Sequence, residues 1–266
     1  MKIVALGAAG YLPAAGRQTM AFLVVAGDTI LLLDAGSGVA RLLEPEVQAV
    51  LPPDAALDVL LTHYHLDHVV GLSYLPGVAN DRRVRIHAPG PPLTVFGPEA
   101  LDRLLSAPLF PLPIERWPMP TELVAYSGPE LAIGELRIRV RGQKHPGGSV
   151  GVRIGDEIAY ITDTVMDPAT AGFVRGVKLL LHEVWLSEEE AARDAAARTG
   201  HSDAAAVADL AREATVGKLW VVHHHPRRSS AEVARMAEAM ARRSGLAVEV
   251  PGEGRVVELD CREGAA

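Results

Sequence analysis

Short apolar runs, many of them rich in β-branched residues, recur along the chain. They barely alternate with polar residues, so they predict strands that are buried on both faces. Gly27-Asp28 and Gly155-Asp156 each separate two consecutive runs and are typical of tight hairpin turns. The predicted strands are residues 2–6, 22–25, 29–33, 58–61, 84–87, 136–140, 150–154, 157–161, 178–181 and 218–222.

Helical patterns are fewer and lie mostly late in the chain. The predicted helices are residues 187–197, 202–213 and 230–243. Ser187 followed by Glu190 resembles a capping box, in which side chain and backbone bond reciprocally at a helix start. The proline-rich segments 89–92 and 108–120 predict loops. Because no repeat or linker divides the chain, we expect residues 1–266 to form a single mixed α/β domain.

Composition narrows the possible partners and the compartment. The formal net charge of −7 argues against a partner such as bulk DNA or RNA, which usually binds basic proteins. One cysteine, Cys261, allows neither an intrachain disulfide nor a cysteine-rich zinc site. The N-terminus lacks a signal-peptide layout, and no apolar stretch reaches membrane-spanning length. We therefore expect a cytoplasmic protein without a membrane partner.

Histidine and aspartate follow four of the predicted strands. His63 comes just after residues 58–61, His145 after 136–140, Asp163 after 157–161 and His223 after 218–222. In sheet-based α/β proteins, ligands collect at the carboxyl ends of strands, where loops converge on one crevice. This placement predicts a metal site assembled from distant segments.

The densest cluster is His63, His65, Asp67 and His68. In an extended segment His63 and His65 point to the same side and can grip one metal ion. After a turn, Asp67 and His68 can face a second ion. Four potential ligands within six positions argue against a merely polar loop. Imidazole and carboxylate suit zinc, iron or manganese, and the lack of thiolates disfavours a structural zinc site.

The segment His63-Tyr64-His65-Leu66-Asp67-His68 matches the HxHxDH signature of the metallo-β-lactamase superfamily. Further segments match the superfamily in its order of motifs over nearly the whole chain. Residues 31–36 precede the signature, and residues 144–146, 161–164 and 221–223 come after it. Gly200-His201-Ser202 ahead of a predicted helix is similar to the RNase Z-like phosphodiesterase branch. The chain therefore resembles that branch.

The resemblance implies an α/β fold, a four-layer αββα sandwich with the site at one edge of the paired sheets. It also implies two divalent metal ions, zinc first, with manganese and iron also compatible. By this resemblance His63, His65 and His145 bind the first ion, Asp67, His68 and His223 bind the second, Asp163 bridges them, and Asp67 and His201 take part in catalysis.

The resemblance further implies a hydrolase whose nucleophile is a hydroxide bridging the metals. His201 is suited to donate a proton or hydrogen bond to an oxygen of the phosphodiester. His145 and Asp163 are only 18 positions apart (163 − 145), too few for the tRNA-gripping arm of full-length relatives. We therefore predict a phosphodiesterase for a small phosphodiester, such as a cyclic nucleotide or short oligonucleotide, and related proteins suggest a homodimer.

Two other functions remain open. The same metal frame can hydrolyse carbonyl substrates (thioesters, lactones or β-lactams), and the stretch 109–120, with Phe110 and Trp117, could supply an apolar acyl pocket. A binding protein with a relic site is the third hypothesis, which the full ligand set disfavours.

Several residues near the motifs also keep two interpretations. His201 itself could merely cap a helix or lie on the surface. Asp34 either supports the metal-binding loops or makes a turn. His182 and Glu183 either approach the site or pack in the core, and at most one of His224 and His225 faces the metals. Arg227 either contacts a phosphate or is surface charge, and we expect His87 to be structural.

Overall fold

The computed structural model describes residues 1–193 and 200–259. Within these residues the chain forms two seven-stranded mixed sheets. The strands are β1 Lys2–Gly7, β2 Ala21–Ala26, β3 Thr29–Leu33, β4 Leu57–Leu60, β5 Val84–Pro89, β6 Thr121–Tyr126, β7 Glu130–Ile133, β8 Leu136–Gln143, β9 Ser149–Ile154, β10 Ile158–Ile161, β11 Leu179–Glu183, β12 Lys218–Val222, β13 Ala247–Glu249 and β14 Val256–Glu258.

The strand order is β14-β1-β2-β3-β4-β5-β6 in the first sheet and β13-β12-β11-β10-β9-β8-β7 in the second. Strands β3 to β6 are parallel, as are β10 to β13, while the other neighbours pair antiparallel. The two predicted hairpins are confirmed, because β2 pairs with β3 and β9 with β10 around Gly27 and Gly155, both at positive φ. The parallel blocks bring several strand ends to one edge of each sheet.

Helices cover the outer faces of both sheets. The α-helices are α1 Pro45–Gln48, α2 Leu66–Val69, α3 Leu75–Val78, α4 Ala169–Val174, α5 Glu188–Arg193, α6 Ala204–Glu213 and α7 Ser230–Ser244. Short 3₁₀ helices span Ser37–Leu43, Val70–Tyr74, Pro98–Arg103 and Ile114–Arg116.

Three buried apolar layers hold these elements together. The central layer lies between the sheets, where Phe22 of β2 meets Tyr160 of β10 with ring centroids 5.5 Å apart. A second layer joins the outer face of the first sheet to its helices, and a third packs α6 and α7 against the second sheet. Three apolar interfaces between four layers give the αββα sandwich, so the expected fold is confirmed. A single domain over residues 1–266 stays a prediction.

The predicted strands correspond to the ten inner strands of the two sheets. The four strands that the apolar pattern missed, β6, β7, β13 and β14, are the four sheet edges. β6 has the sequence TELVAY and is half exposed, and β13 and β14 are three residues long. Edge strands have one unpaired side, and natural proteins keep them short or polar. An apolar-run criterion therefore does not detect them.

The helices begin where capping residues place them, rather than where the periodic pattern of apolar residues begins. At α5 the predicted capping box is present: the Glu190 amide donates to Ser187 Oγ, and the Ser187 amide donates to Glu190 Oε2. α6 begins at Ala204 rather than at residue 202, because Asp203 is the N-cap and accepts from the Ala206 amide. The predicted extension of α5 to residue 197, and Cys261, lie outside the described residues.

The early part of the chain departs from the prediction of late helices. Three short α-helices and several 3₁₀ turns lie between residues 37 and 116, including one in the predicted loop 108–120. At three to seven residues each, these turns are too short for a helical period to be visible. Among the described residues, no helix has both the length and the apolar character that crossing a membrane requires.

A buried ion pair ties β4 to β5. The Asp58 carboxylate accepts two hydrogen bonds from the Arg85 guanidinium, each 2.6 Å long, and lies 2.7 Å from His87 Nε2. Burial alone would raise the pKa of Asp58, but the hydrogen bonds from His87 and Arg85 outweigh it and lower that pKa. His87 thus has a structural partner, as expected.

We predict that Asp58→Asn lowers the free energy of unfolding by about 2 kcal/mol at pH 7, because it removes the charge that pairs with Arg85. The folded-state pKa of Asp58 is depressed, so its contribution is present above the unfolded pKa and lost as the pH falls below about 4. Denaturant unfolding of both proteins at several pH values measures this. A stability difference that does not shrink in acid would contradict the assignment.

Candidate metal centre

Three carboxylate or imidazole side chains at the strand ends have backbone in the left-handed region. Asp34, directly after β3, has φ 56°, Asp163, two residues after β10, has φ 48°, and His223, directly after β12, has φ 51°. Non-glycine residues rarely adopt this conformation, and it persists where the surroundings hold it in place. At each position the chain turns sharply off a buried strand, and the polar side chain enters the crevice between the two sheets.

The HxHxDH segment combines an extended part with the start of a helix. His63 follows β4, and His65 is the N-cap of α2, with the imidazoles of the two 4.6 Å apart between ring centroids. Asp67 and His68 lie inside α2 and are buried. The expected change of direction after His65 is therefore the beginning of this helix. It presents Asp67 and His68 on a second side of the crevice.

The Asp163 carboxylate lies at the centre of the histidine cluster. Its Oδ2 is 3.1 Å from His68 Nε2. Its Oδ1 is 3.3 Å from His223 Nε2, 3.5 Å from His145 Nε2 and 3.9 Å from His63 Nε2. One buried carboxylate thus faces four imidazoles that come from three separate segments of the chain.

The polar side chains fall into overlapping groups whose ligating atoms lie within 4.8 Å of one another. One group is His63, His65, His145 and Asp163, a second is Asp67, His68 and His223, and a third is Asp163, His201 and His223. The first two groups match the two ion sites that the resemblance implies. The structure therefore brings together all seven residues expected to bind metal, while the ligand role of each stays a prediction.

The donor atoms fit divalent cations. His63 Nε2 is buried and makes no hydrogen bond within the described residues, while His68 Nε2 lies 3.1 Å from Asp163 Oδ2. Buried polar atoms normally have partners, so the His63 nitrogen beside this carboxylate is suited to bind a cation. Imidazole with carboxylate suits zinc, manganese and iron. The cluster and the fold thus indicate divalent metal ions.

Electrostatics in the cluster favour bound positive charge. Burial, and next the charge of His68, lower the pKa of His63 well below its usual value. Burial also opposes charge on His68, but the carboxylates of Asp163, Asp67 and Asp34 outweigh it and raise that pKa. Burial would raise the pKa of Asp163, yet His223, His68 and His63 hold it far below its usual range. The carboxylate is therefore ionised and attracts cations.

Asp34 holds the imidazole of His68 at Nδ1, the ring nitrogen that is turned away from Asp163. Asp34 Oδ2 is 2.8 Å from His68 Nδ1 and accepts from the Thr62 and Tyr160 hydroxyls, while Oδ1 accepts from the Thr62 amide. The bond at Nδ1 leaves His68 Nε2 directed at Asp163. Hydrogen bonds of this kind fix the orientation and tautomer of ligand histidines. The supporting role of Asp34 is therefore present, as one of its two interpretations expected.

His201 is paired with a buried glutamate and stacked on a tryptophan. Its Nδ1 lies 2.9 Å from Oε2 of Glu183, and its ring stacks on Trp185 at 4.6 Å between centroids. Burial and the nearby Asp163 raise the pKa of Glu183, and burial lowers that of His201. One of the two interpretations of Glu183, approach to the site, is therefore correct.

Asp67 is fixed by the loop after β1. Its Oδ2 accepts a 2.6 Å hydrogen bond from the Tyr11 amide and lies 3.2 Å from His223 Nε2. Sequence reasoning missed Tyr11, and missed Trp185 as well. Tyr11 acts through its backbone amide, which any residue type supplies. Trp185 lies two residues past the end of β11. An aromatic residue at such a position is common, so the sequence offered no specific reason to assign it to the site.

Two cavities flank the cluster. A polar cleft of about 760 Å³ includes Asp67, His201, Trp185, His225 and Arg227 in its walls. A more apolar pocket of about 410 Å³ lies beside it. Both cavities share His65 and Pro146, so a group bound at the cluster has access to both.

The other histidines near the motifs, and Arg227, lie either in the core or at the cleft. His182 is buried, and its Nδ1 lies 2.8 Å from the carbonyl of Glu183, so it belongs to the core. Neither His224 nor His225 is in the metal-binding groups of the described residues. His224 is fully buried, whereas His225 contacts Trp185 at the cleft. Arg227 lines the cleft, where it can meet an anion, in addition to being surface charge.

Comparison with known proteins agrees with this geometry. Residues 29–224 match the family model described as a β-lactamase superfamily domain. The chain therefore belongs to the metallo-β-lactamase superfamily, and its relatives place it in the RNase Z-like branch. It is a metal-dependent hydrolase of that branch.

Particular relatives cover most of the chain. Ribonuclease Z of Methanopyrus kandleri is 27% identical over 263 residues, covering 82% of this chain and 85% of the relative. A probable metallo-hydrolase of Bacillus subtilis, YhfI, is 26% identical over 231 residues, covering 84% and 86%. The crystal structure of YhfI superposes with a TM-score of 0.75 at 23% identity, covering 96% of this chain and 98% of that one. The short form of human tRNase Z has the same fold, with a TM-score of 0.68 at 15% identity and coverage of 98% and 100%.

We predict that Asp34→Asn weakens metal binding by about 10- to 100-fold. Both oxygens of Asp34 accept hydrogen bonds, so in either orientation the NH₂ group of asparagine would face an N–H or O–H donor. The hydrogen bonds that orient His68 would then be lost. Competition with a chromophoric chelator measures the affinity. Tyr160→Phe is the matched control, because it removes one donor and leaves the carboxylate charged. Equal losses in the two variants would mean that Asp34 acts only through packing.

Proposed function

We propose that this chain is a phosphodiesterase that hydrolyses a small phosphodiester, such as a cyclic nucleotide or short oligonucleotide. The observation that carries the proposal is the hydrogen-bonded Glu183–His201 pair, in which His201 lines the same cleft as Asp163. A histidine held by a buried carboxylate beside a metal site supplies proton transfer next to an activated water. Membership in the RNase Z-like branch supports the same reaction.

Seven residues would hold two metal ions, zinc first by the donor set, with manganese and iron compatible. His63, His65 and His145 would bind one ion, Asp67, His68 and His223 the other, and Asp163 both. When bound, the ions supply an activated water and positive charge opposite the phosphate oxygens. The side chains keep these positions through bonds on their far sides, such as that of His145 Nδ1 to the Gly200 carbonyl at 2.9 Å.

His201 would serve the leaving alcohol. Its Nδ1 is engaged by Glu183, so Nε2 is the nitrogen that faces the cleft. The stack on Trp185 fixes the plane of the ring. From this position Nε2 of the protonated ring can donate its proton to the departing oxygen, which leaves a neutral ring whose Nδ1–H donates to Glu183.

Asp67 would orient the attacking water as well as bind metal. Its Oδ2 is occupied by the Tyr11 amide and by His223. Burial would raise the pKa of Asp67, but His68 and His223 outweigh it and keep the carboxylate ionised. An ionised oxygen beside the reacting centre can accept a hydrogen bond from water and align it with phosphorus.

A small substrate is supported by the segment between His145 and Asp163. Apart from a tight turn after His145, that segment is taken up by β9 and β10, which are paired inside the second sheet. No arm extends from it to hold a large RNA. The net charge of −7 also disfavours a long polyanion. Arg227 in the cleft provides a local positive charge for one phosphate group.

Carbonyl hydrolysis remains the second candidate because the metal cluster also borders an apolar pocket. Leu101, Leu104 and Leu109 line it, so a thioester, lactone or β-lactam could place an acyl group there. The stretch 109–120 contributes little of the pocket wall, since Trp117 is packed in the outer core and Phe110 lies against it.

We predict metal-dependent hydrolysis of a short dinucleotide, whose alkoxide leaving group needs a proton, with a kcat that falls about 10²- to 10³-fold in His201→Ala. Metal content should not change, because His201 is not among the seven proposed ligands. Chromatography of the released nucleoside and metal analysis measure both quantities. His225→Ala is the matched control, since this ring also contacts Trp185 at the cleft but does not belong to the Glu183–His201 pair. An equal loss in both variants would remove His201 from the mechanism.

We also predict that His201→Ala separates the two candidate functions. Phosphodiester hydrolysis requires a proton at a poorly leaving alkoxide, whereas thioester hydrolysis expels a good leaving group and does not need His201. Rates for a dialkyl phosphodiester and for a phenyl thioester are measured with the zinc-loaded wild-type protein and variant. High thioester turnover that survives in the variant, without phosphodiester turnover, would favour the carbonyl reaction.

A further inference from the structure

The two cavities adjoin each other at the metal cluster. His65 and Pro146 line both, with His201 and Arg227 only on the cleft side and Tyr64 only on the pocket side. The phosphorus of an acyclic phosphodiester held at the cluster carries two separate ester substituents. Because both cavities adjoin the cluster, one substituent can extend into each cavity.

The apolar pocket is built onto the ligand-bearing turn. The amide of Val95 donates to the carbonyl of Gly147 at 2.9 Å, which fixes the following Phe96 beside the turn after His145. Gly148 has φ +80°, and a Cβ there would come within 2.8 Å of the Leu93 carbonyl oxygen. Glycine therefore permits the close approach of these two segments. The pocket wall and the cluster are thus held in one fixed arrangement.

The chemistry of the pocket favours an uncharged substituent. Its walls include Leu101, Leu104, Phe96 and Leu109, and Glu99 and Arg103 contribute one negative and one positive charge. A further phosphate group would gain no net positive charge there, whereas an aromatic or aliphatic group would bury apolar surface. The volume of about 410 Å³ lies in the range of small-molecule sites.

We infer that the apolar pocket binds the ester substituent that stays on phosphorus, and that this substituent is uncharged and apolar or aromatic. The inference rests on the proposed phosphodiesterase function. The leaving alcohol lies on the cleft side, because His201 is there to protonate it. The retained substituent then extends past His65 into the pocket. The pocket therefore determines substrate specificity.

The test compares two phosphodiesters that share the p-nitrophenol leaving group, namely phenyl p-nitrophenyl phosphate and methyl p-nitrophenyl phosphate. The quantity measured is the ratio of their kcat/KM values, in which non-productive binding cancels. The wild-type protein should prefer the phenyl ester by about tenfold or more. Phe96→Ser with Leu109→Ser should lower that preference by about threefold or more and leave the methyl ester nearly unchanged.

The matched control is Val95→Ser with Leu43→Ser. Leu109 and Phe96 are 71% and 51% exposed, and Val95 and Leu43 are 69% and 59% exposed, so both pairs are surface substitutions. Neither Val95 nor Leu43 lines the pocket. The control should retain the full phenyl preference. As a second variant, Ala100→Trp fills the pocket from its wall and should also remove the preference.

Other outcomes overturn the inference without ambiguity. Turnover without a phenyl preference, or an equal loss for both esters in Phe96→Ser/Leu109→Ser, would show that the retained group lies elsewhere while the phosphodiesterase function stands. If neither ester is hydrolysed, the proposed function fails, and the pocket is tested by calorimetric binding. Diphenyl phosphate should then bind more tightly than dimethyl phosphate, and only the pocket variants should lose the difference; equal binding would refute the pocket.

Discussion

Burial of the Asp163 carboxylate among four imidazoles is the interaction on which the site depends. Its oxygens lie 3.1 to 3.9 Å from His68, His223, His145 and His63. A buried charge is costly unless opposite charge and hydrogen bonds compensate it, so these rings must stay near the carboxylate. The left-handed backbone at Asp163 and His223 is tolerated because this arrangement overdetermines it. Metal ions complete the compensation that the imidazoles begin.

The hydrogen bonds behind the cluster explain how side chains from distant segments keep one geometry. Asp34 holds His68, Glu183 holds His201, and the Gly200 carbonyl holds His145. Each contact fixes one ring nitrogen and leaves the other for the reaction centre. The same framework separates a polar cleft with proton-transfer groups from an apolar pocket. In the proposed mechanism, the same residues therefore position both the reacting groups and the substrate.

The sequence indicated the metal-facing residues because their spacing is chemically unusual. His63, His65, Asp67 and His68 concentrate four potential ligands within six positions, and His145, Asp163 and His223 follow apolar strands. The groups around them were harder to identify. Tyr11 contributes a backbone amide, and Glu183 stood beside His182 with nothing in the sequence to say which enters the site. Which side chain faces a ligand depends on a register that only packing fixes.

What the sequence by itself determined is the interior: the ten inner strands, the two hairpins and the ligand motif all follow from local apolar runs and spacing. What only the tertiary structure decided is the edges and the cavities. Strands β6 and β7 are partly exposed, and β13 and β14 are three residues long, so their pairing depends on neighbouring strands rather than on a buried apolar run. The apolar pocket likewise forms where segments 93–109 and 145–148 meet. Buried strands have a local signature because both faces must be apolar, whereas edges and cavities depend on non-local contacts that local sequence patterns do not encode.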